Sequence, residues 1–351
     1  MAEPAVCVSI VTHNSQRYIR RCLEAVLAQQ SAHVSVVVVD NASTDATRKE
    51  LAAFRGRIRV IYNRRNEGFA AGQNRAIRRS SAPWVLALNP DVLLAHGFLE
   101  RLLEAAAADP RAGAICGKLL SIGPDFTPLP EPLLDSTGIY VTPAMRHFDR
   151  GLHEPDDGRY EEPQYVFGAS GAAVLYRRGM IEDISIGGAF FDPDFFVYRE
   201  DADVAWRAQL LGWRCLYTPA ATACHVRTVS PHNRRSLPRA INMHSVKNRF
   251  LLRIKNLTPG LWRRYWLPMT ARDLVVIGGC LLSEPASLRA FWHLARSLRR
   301  ALQQRRIIMS RRIASDEELA QWFNNQPVAR AAATAVAAHA PESNSAIAAA
   351  I

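Results

Sequence analysis

Strands and helices alternate through the first third of the chain, and this alternation limits the fold more than any other feature. Short apolar runs, rich in β-branched residues, occupy 6–12, 34–39, 59–62 and 84–88. Segments with apolar residues at helical spacing follow them at 18–29, 44–54, 70–79 and 98–107. Strands that are apolar on both faces and joined by helices are typical of a parallel sheet covered by helices. We therefore predict an α/β fold around such a sheet.

Polar residues stand where three of the predicted strands end: Thr12-His13-Asn14, Asp40-Asn41 and Asn89-Pro90-Asp91. Ligands of parallel α/β sheets bind beyond the carboxyl ends of the strands, so these groups are candidates for a binding site. The turn after the first strand, THNSQRY, contains no glycine, and NEGFAAGQN (66–74) matches neither the Rossmann nor the P-loop pattern. Dinucleotide-dependent dehydrogenases and P-loop nucleotidases therefore lack their usual motifs in this chain.

Asp91 lies where a diphosphate would bind at this edge of the sheet. Two anions meet favourably only with a cation between them, and Mg²⁺ or Mn²⁺ suits one or two carboxylates together with phosphate oxygens and water. Pro90 would fix the turn that holds Asp91. The alternative is a proline-containing turn with an exposed carboxylate.

Asp40 also has two interpretations. Its carboxylate could accept hydrogen bonds from a base or ribose, or it could form a turn or cap a helix. Taken alone, the residue favours the turn or cap.

A second acidic pair, Glu200-Asp201, opens a predicted helix over about 200–212. A carboxylate in the first turn of a helix is stabilised by the positive end of the helix, and Asp201 could act as a general base toward a substrate hydroxyl. Ordinary charge in a first helical turn is the alternative. His225 follows a predicted strand, and it is either a further metal ligand beside Asp91 or a structural histidine.

The basic charge of the chain is confined to its C-terminal part. The formal net charge is +12, but 16 Lys and Arg residues between 236 and 312 oppose only two acids, which gives that segment +14 and the remainder −2. This distribution, with an acidic stretch at 154–162, argues against a nucleic-acid-binding protein. Six cysteines without a CxxC pair indicate reduced thiols. The sequence shows neither a secretory signal nor a run of about 18 apolar residues, so we expect a cytoplasmic protein.

Taken in order, the motifs resemble those of one known family. They are VSIVTHNSQRYIRRCLEAVLAQ, VVVVDNASTD, NEGFAAGQNRAI, VLALNPDVLL, FGASGAAVLYRR and YREDADVAWRAQLLGWRCLYTPAA, followed by His225. Over about residues 5–255 the series is similar to family 2 nucleotide-sugar glycosyltransferases, and especially to the rhamnosyltransferase-like enzymes of bacterial polysaccharide assembly. The resemblance implies a GT-A fold, in which helices flank a mostly parallel nucleotide-binding sheet, here with a basic helical C-terminal extension.

The resemblance also implies roles for individual residues. The nucleotide-sugar donor would contact Thr12, His13, Asn14, Asp40, Asn41, Asn66, Gly68, Phe69, Asn74 and Asn89. The metal-binding DxD motif of the family corresponds to Asn89-Pro90-Asp91, so that Asp91, with His225, would hold Mg²⁺ or Mn²⁺. Glu200 and Asp201 would be catalytic, with Asp201 as the base, and Gly168, Ala169 and Ser170 would lie on the acceptor side.

The activity implied is an inverting transfer of one sugar, with L-rhamnose as the candidate, from a dTDP- or UDP-sugar to a hydroxyl of a glycan or polyprenyl-linked acceptor. The Gln-x-x-Arg-Trp motif of processive members is not in its usual place, which favours one sugar per acceptor. One alternative is a sugar-1-phosphate nucleotidyltransferase, which would carry a basic glycine-rich loop after its first strand. The other is a catalytically silent membrane-bound binding or scaffold protein, against which the retention of Asp91 and Asp201 argues.

Three regions are predicted along the chain: a catalytic domain over 1–235 with acceptor-side loops at 121–165, a basic helical extension over 236–325, and a flexible Ala-rich tail over 326–351. In the extension, apolar residues recur at helical spacing, at 288, 291, 292, 295, 298 and 302. Arginines lie beside them at 289, 296, 299 and 300. A basic amphipathic helix with aromatic residues suits an anionic membrane surface. The alternative is a helix packed on the catalytic domain. We expect a peripheral protein at the inner face of the cytoplasmic membrane.

Overall fold

The structure is a computed structural model that describes residues 5–29, 33–227 and 239–331. The strands in these ranges are β1 Val6–Thr12, β2 Val34–Asp40, β3 Arg59–Tyr62, β4 Trp84–Leu88, β5 Val92–Leu94, β6 Ala112–Ser121, β7 Leu134–Ser136, β8 Ile139–Val141, β9 His147–Asp149, β10 Gln164–Val166, β11 Ala173–Arg177, β12 Arg214–His225 and β13 Arg330–Ala331. The α-helices are α1 Ile19–Leu27, α2 Thr47–Ala52, α3 Phe69–Ile77, α4 Phe98–Ala108, α5 Arg178–Ile184, α6 Glu200–Leu210, α7 Arg239–Asn256, α8 Pro259–Ser283, α9 Arg289–Ser310 and α10 Asp316–Ala320.

One large mixed sheet forms the centre, with the strand order β13-β10-β12-β6-β11-β4-β1-β2-β3. The four strands predicted from the first third of the chain, β3, β2, β1 and β4, lie side by side and are parallel. Their carboxyl ends meet at one edge, where Thr12 lies beside Asp40. Antiparallel β11 separates them from β6 and β12, which again pair parallel to each other. The predicted α/β fold is confirmed.

Both faces of the sheet are buried, as continuous apolar strands require. On one face, Val8, Ile10 and Val38 pack with residues of α1, α2 and α4. On the other face, Cys7, Val11 and Val39 pack with residues of α3, α5, α6, α7 and α10. The alternating direction of side chains along β1 and β2 therefore divides the core into two layers.

The last long strand differs from its prediction. We expected two strands, at 213–219 and 221–226, but β12 is continuous from Arg214 to His225, with an irregularity in its pairing with β6 between Tyr217 and Thr222. Pro219 lies in this interval and has no N–H to donate, so the ladder is interrupted while the strand goes on. The end of β12 pairs with β5, which puts His225 opposite Val92.

The long excursion at 121–165 is folded against the sheet. Strand β7 pairs with β6, and β10 pairs with β12. The predicted hairpin near 139–148 is confirmed by the antiparallel pair β8 and β9. Ile139 and Val141 are buried in the core that lies between the sheet and the C-terminal helices. This packing holds the excursion beside the carboxyl ends of the parallel strands.

The predicted helical character of the C-terminal extension is confirmed, and α7 is tied to the catalytic part by buried polar contacts. The Lys255 ammonium lies 2.7 Å from a carboxylate oxygen of Asp192 and 2.9 Å from one of Asp203, and the Asn256 amide donates to Asp203 at 2.8 Å. The boundary at 235 remains a prediction. In α9 the predicted apolar stripe is divided, because Phe291 packs on Phe250 whereas Trp292 and Leu298 are exposed.

The predicted Ala-rich tail is described only in its first part. Residues 330 and 331 form β13, which pairs antiparallel with β10 at the edge of the sheet. Residues 332–351 lie outside the described residues.

Candidate active site

The carboxyl ends of the parallel strands open into a cleft of about 520 Å³. Most of the residues predicted for the site line it: Thr12, His13, Asn14, Asn41, Asn66, Gly68, Phe69, Asn89, Asp91, Ser170, Glu200, Asp201 and His225. These residues come from segments that are far apart in the chain. The sheet brings them together because its parallel strands all end at the same edge.

Four predicted site residues do not line the cleft: Asp40, Asn74, Gly168 and Ala169. The Asp40 side chain is fully buried, and its carboxylate accepts the backbone N–H of Ser43 at 3.2 Å and pairs with the Arg48 guanidinium at 2.8 Å. These contacts are those of the turn that we set beside the base-binding role. Asp40 therefore fixes the loop that follows β2, and this loop begins with Asn41, which lines the cleft.

The other three hold the walls of the cleft in place. The Asn74 amide donates to the Phe191 carbonyl at 2.6 Å and accepts the N–H groups of Phe190 and Phe191 at 3.1 and 3.0 Å. At Gly168 a Cβ atom would come within 2.3 Å of the Ala205 Cβ, so glycine lets the segment before β11 pack directly on α6. Ala169 is buried in the same place.

A network of amide groups joins the segments that carry Asn41, Asn66 and Gly68. The Asn41 amide donates to the Gly68 carbonyl at 3.0 Å and accepts from the Asn63 amide at 2.7 Å, while a ring nitrogen of His13 lies 2.9 Å from the Asn41 carbonyl. Asn66 accepts the Gly68 N–H at 2.9 Å. The loops after β1, β2 and β3 are thus fixed to one another before any ligand enters.

Asp91 and His225 meet because β5 pairs with the end of β12. The Asp91 Oδ1 and His225 Nε2 atoms are 3.4 Å apart, and both side chains line the cleft. On its other side, the His225 Nδ1 atom lies 2.8 Å from Asp135, a carboxylate that the sequence analysis did not select. A carboxylate bound to the second nitrogen of an imidazole fixes the ring and leaves its first nitrogen directed at a metal.

The charges around this imidazole favour a cation. Burial lowers the pKa of His225, but the carboxylates of Asp135 and Asp91 outweigh burial and raise the pKa to about 10. Burial raises the pKa of Asp135, but His225 and Arg227 outweigh it and hold that pKa at about 2. The two carboxylates therefore stabilise a positive charge between them. That charge is either a proton on the His225 ring or a metal ion bound to its Nε2 atom.

Arg227, two residues after His225, forms ion pairs with two acids of the excursion. Its guanidinium lies 2.5 Å from Asp135 and 2.8 Å from Asp149, so it joins β7 and β9 of the excursion to the end of β12. Asp149 and Arg227 both line the cleft. Nothing local in the sequence distinguishes Asp135 and Asp149 from the other acids of 121–165, because only the strand pairing of the excursion brings them to His225.

A metal ion would have two protein donors in this cleft, the Asp91 carboxylate and the His225 Nε2 atom. Among the described residues, no group of three or more His, Cys, Asp or Glu side chains is arranged to hold a metal ion. Two protein ligands nevertheless fit Mg²⁺ or Mn²⁺, which keeps several water or phosphate oxygens in its coordination sphere. The donor set fits an ion that is shared with a diphosphate.

Glu200 and Asp201 begin α6 and line the same cleft. The Asp201 carboxylate accepts the N–H groups of Gly171 and Ala202 at 3.2 and 2.7 Å, which fixes its orientation. Burial and the nearby Asp149 raise the pKa of Asp201, although the two N–H groups oppose the shift. Burial, with the Asp201 charge, raises the pKa of Glu200 well above its usual range. Of the two carboxyl groups, Glu200 therefore keeps its proton to the higher pH.

The segment before α6 is a strained turn that forms part of the cleft wall. Phe196 has φ 63° and ψ −64°, and the Val197 N–H donates to the Phe195 carbonyl at 2.7 Å, which defines a rare and strained type of γ-turn. Tyr198 and Arg199 also have positive φ. We call this segment, 195–199, the strained turn. Its conformation directs Glu200 and Asp201 into the cleft.

Contacts on both sides hold the strained turn. The Asn248 amide of α7 lies 2.8 Å from each of the carbonyls of Phe195, Val197 and Tyr198. On the cleft side, the Phe196 carbonyl accepts the Phe69 N–H at 2.7 Å. The sequence analysis missed Asn248, because it assigned α7 to a separate extension.

The fold and this site define an α/β protein with a cleft at the carboxyl ends of its parallel strands, and Asp91, Glu200 and Asp201 line this cleft. The family model described as "Glycosyl transferase family 2" matches residues 7–185. The chain is also 30% identical over 241 residues to an "N-acetylglucosaminyl-diphospho-decaprenol L-rhamnosyltransferase" of Mycobacterium tuberculosis, an alignment that covers 62% of this chain and 75% of that protein. The chain belongs to glycosyltransferase family 2, and its resemblance to the rhamnosyltransferase-like branch is confirmed.

Further similarities agree with this family. A "Putative teichuronic acid biosynthesis glycosyltransferase TuaG" of Bacillus subtilis is 32% identical over 130 residues, 36% of this chain and 51% of that protein. Two solved structures share the fold. One is GalNAc-T7 with UDP, GalNAc and Mn²⁺, with a TM-score of 0.57 and 15% identity over 72% of this chain and 48% of that one. The other is S. aureus TarS 1-349, with a TM-score of 0.52 and 16% identity over 87% of this chain and 86% of that one. The predicted GT-A fold is confirmed, and the nucleotidyltransferase alternative is set aside.

Proposed function

We propose that the chain is an inverting glycosyltransferase that moves one sugar from a nucleoside-diphosphate donor to a hydroxyl group of a glycan or polyprenyl-linked acceptor. The proposed donor is a dTDP- or UDP-sugar, with L-rhamnose as the candidate sugar, and the proposed context is the assembly of a bacterial cell-surface polysaccharide. One observation carries the proposal: Asp91 and His225 face the same cleft as Glu200 and Asp201. The name of the mycobacterial relative supports the choice of sugar and acceptor.

In this reaction Asp201 accepts the proton of the acceptor hydroxyl while the hydroxyl oxygen attacks the anomeric carbon. A carbon–oxygen bond forms on one face of the sugar, the bond to the diphosphate breaks on the other, and the configuration inverts. The raised pKa of Asp201 makes it a better base than an ordinary aspartate, and two N–H groups hold it in one orientation. The pKa of Glu200 is raised further, by burial and by the Asp201 charge, so Asp201 is the member of the pair that gives up its proton first.

Asp91 and His225 are the residues that would hold Mg²⁺ or Mn²⁺, with Asp135 orienting the imidazole and Arg227 holding Asp135. When bound, such an ion neutralises the negative charge that grows on the diphosphate leaving group. The donor-side network around Asn41 and Gly68 would hold the nucleotide, since its loops are already fixed to one another. Preformed contacts of this kind lower the cost of binding.

We also propose that the protein works at the inner face of the cytoplasmic membrane, where a polyprenyl-linked acceptor would be presented. Within the described ranges, no helix has the length and apolar character that a transmembrane span needs. The excess of arginine in the extension supports contact with anionic lipids.

Substitution of the proposed base tests the reaction. Asp201→Asn should retain nucleotide binding but lower the turnover about 10²–10⁴-fold, because the general base is lost. The measurement is the release of nucleoside diphosphate from the donor in the presence of acceptor. Asp183→Asn is the matched control, since Asp183 binds Trp213 and Arg311 away from the cleft and should keep full turnover.

Two outcomes would contradict the proposal. Full turnover in Asp201→Asn would exclude the base role. Nucleotide binding by the wild-type protein without turnover of any donor, with or without acceptor, would instead favour the catalytically silent binding protein.

A further inference from the structure

Over residues 266–282, the long helix α8 directs its charges inward and its large apolar residues outward. The Asp273 carboxylate lies 3.1 Å from the Arg249 guanidinium and 2.7 Å from that of Arg253, both on α7. The neighbouring Arg272 is half-buried, and its Nε atom is enclosed. A surface helix of a soluble protein has the opposite arrangement, with its polar face toward water. The outward side of α8 is therefore suited to contact with an apolar environment rather than with water.

The outward side carries a continuous set of large apolar side chains. They are Trp266, Leu267, Leu274, Val275, Leu281 and Leu282, and between 51% and 88% of each residue is exposed. We call this set the apolar face of α8. The residues between them that are exposed, Thr270, Ala271 and Gly279, carry no charge. Exposed apolar patches of this extent mark interaction surfaces.

The surroundings of the apolar face are positively charged. From 259 to 310 the chain has nine arginines and two acids. Both acids are already bonded, Asp273 to the arginines of α7 and Glu284 to the Asn242 amide at 2.6 Å. Exposed arginines adjoin the face at Arg263 and Arg264 in the first turns of α8, and α9, the next α-helix along the chain, carries further exposed arginines.

This charge decides between two occupants. A symmetric pair of chains would bring the same positive surroundings of both copies together, because the two halves of such an interface use the same surface. Like charges brought together in this way oppose association. An anionic lipid surface supplies the opposite charge for the arginines and an apolar layer for the leucines. Exposed tryptophans, Trp262 and Trp266, suit the boundary between headgroups and acyl chains.

We propose that the apolar face of α8 docks on the surface of an anionic lipid bilayer, with the adjoining arginines on the headgroups. The surface lies close to the reaction cleft through α7, since Ile241 of α7 lines the cleft while Arg249 and Arg253 bind α8. This inference deepens the proposed function. It rests on that function only in the purpose that docking would serve, which is to hold the cleft near a lipid-linked acceptor. It also moves the expected membrane contact from α9, where part of the predicted stripe is packed inward, to α8.

Binding of the full-length protein to vesicles tests the proposal without donor or acceptor. The vesicles contain phosphatidylcholine alone or phosphatidylcholine with phosphatidylglycerol, and co-sedimentation gives the partition coefficient. The wild-type protein should bind the anionic vesicles more strongly, and added salt should weaken that binding. Leu274→Glu should weaken it about ten-fold, because a leucine contact is lost and a negative charge is added.

Ile313→Glu is the matched control, since Ile313 is as exposed as Leu274 but lies after α9. It should bind as the wild type does, and both variants should keep the thermal unfolding of the wild type. Equal binding by all three proteins would overturn the proposal, as would the absence of wild-type binding to anionic vesicles. A wild-type dimer that Leu274→Glu dissociates would also overturn it, in favour of a second copy. Because no reaction is measured, failure here is distinct from failure of the proposed glycosyl transfer.

Discussion

Replacement of Asn248 by alanine tests whether α7 belongs to the catalytic apparatus. The Asn248 amide lies 2.8 Å from three carbonyls of the strained turn, and its two hydrogens can satisfy two of them fully at once. Each buried carbonyl that loses its donor costs about 1–3 kcal/mol. We therefore expect Asn248→Ala to lower the free energy of unfolding by about 2–4 kcal/mol, allowing for partial replacement by water.

The effect on turnover should exceed the effect of lost stability alone. Positive φ values at non-glycine residues cost roughly 1–3 kcal/mol each and persist only while neighbouring contacts impose them. Without Asn248 the strained turn should relax, and Glu200 and Asp201, which follow it directly, should move. A displacement of about 1 Å at the reacting groups can cost 10²-fold in rate, so we expect turnover to fall by roughly 10–10²-fold.

Urea unfolding and steady-state turnover, measured on the same preparations, give both quantities. Leu251→Ala is the control, because Leu251 is fully buried on the same helix and its truncation should cost about 2–5 kcal/mol. At a temperature where both variants are folded, only Asn248→Ala should lose turnover. Equal turnover in the two variants would refute the positioning role, and unchanged stability of Asn248→Ala would refute the hydrogen-bond argument.

Three further predictions concern the cleft. The raised pKa of Asp201 should put the acid limb of the kcat profile above pH 3.8, so turnover should fall as the pH decreases through that raised pKa; a limb below this value would contradict the base role. Gly68→Ala should lower the free energy of unfolding by more than about 2 kcal/mol in urea titrations, because φ 84° and ψ 168° suit only glycine and a Cβ would come within 2.6 Å of Phe196. Asp135→Asn should raise the Mn²⁺ concentration for half-maximal nucleotide binding about 10–10²-fold, and no change would exclude its role in orienting His225.

The sequence predicted the parallel strands β1 to β4 because their signals are local. Each of β1 to β4 is an apolar run followed at once by polar residues, and the ends of parallel strands meet by geometry alone. Thr12, Asn41 and Asp91 could therefore be placed in one cleft before the structure was known. Asp40 could not be separated from them, because its partner Arg48 comes from the next helix and only the folded loop brings the two together.

The other half of the site depends on contacts between distant segments. His225 reaches Asp91 through the pairing of β5 with β12, and Asp135 and Asp149 reach Arg227 through the folding of the excursion. The amide of Asn248 acts on a turn that lies about fifty residues earlier in the chain. No periodicity or spacing encodes such pairs. The outward apolar face of α8 was missed for a related reason, since the direction of Asp273 is decided by two arginines on α7.

Nucleotide binding tests the central claim most directly, since the account requires a diphosphate and a metal ion to share the Asp91 side of the cleft. Calorimetric titration of dTDP, UDP and GDP into the wild-type protein and Asp91→Ala, with and without Mn²⁺, measures it. The account predicts Mn²⁺-dependent binding of one nucleotide by the wild type and its loss in Asp91→Ala. Binding of none of the three nucleotides, or equal binding by both proteins, would contradict it.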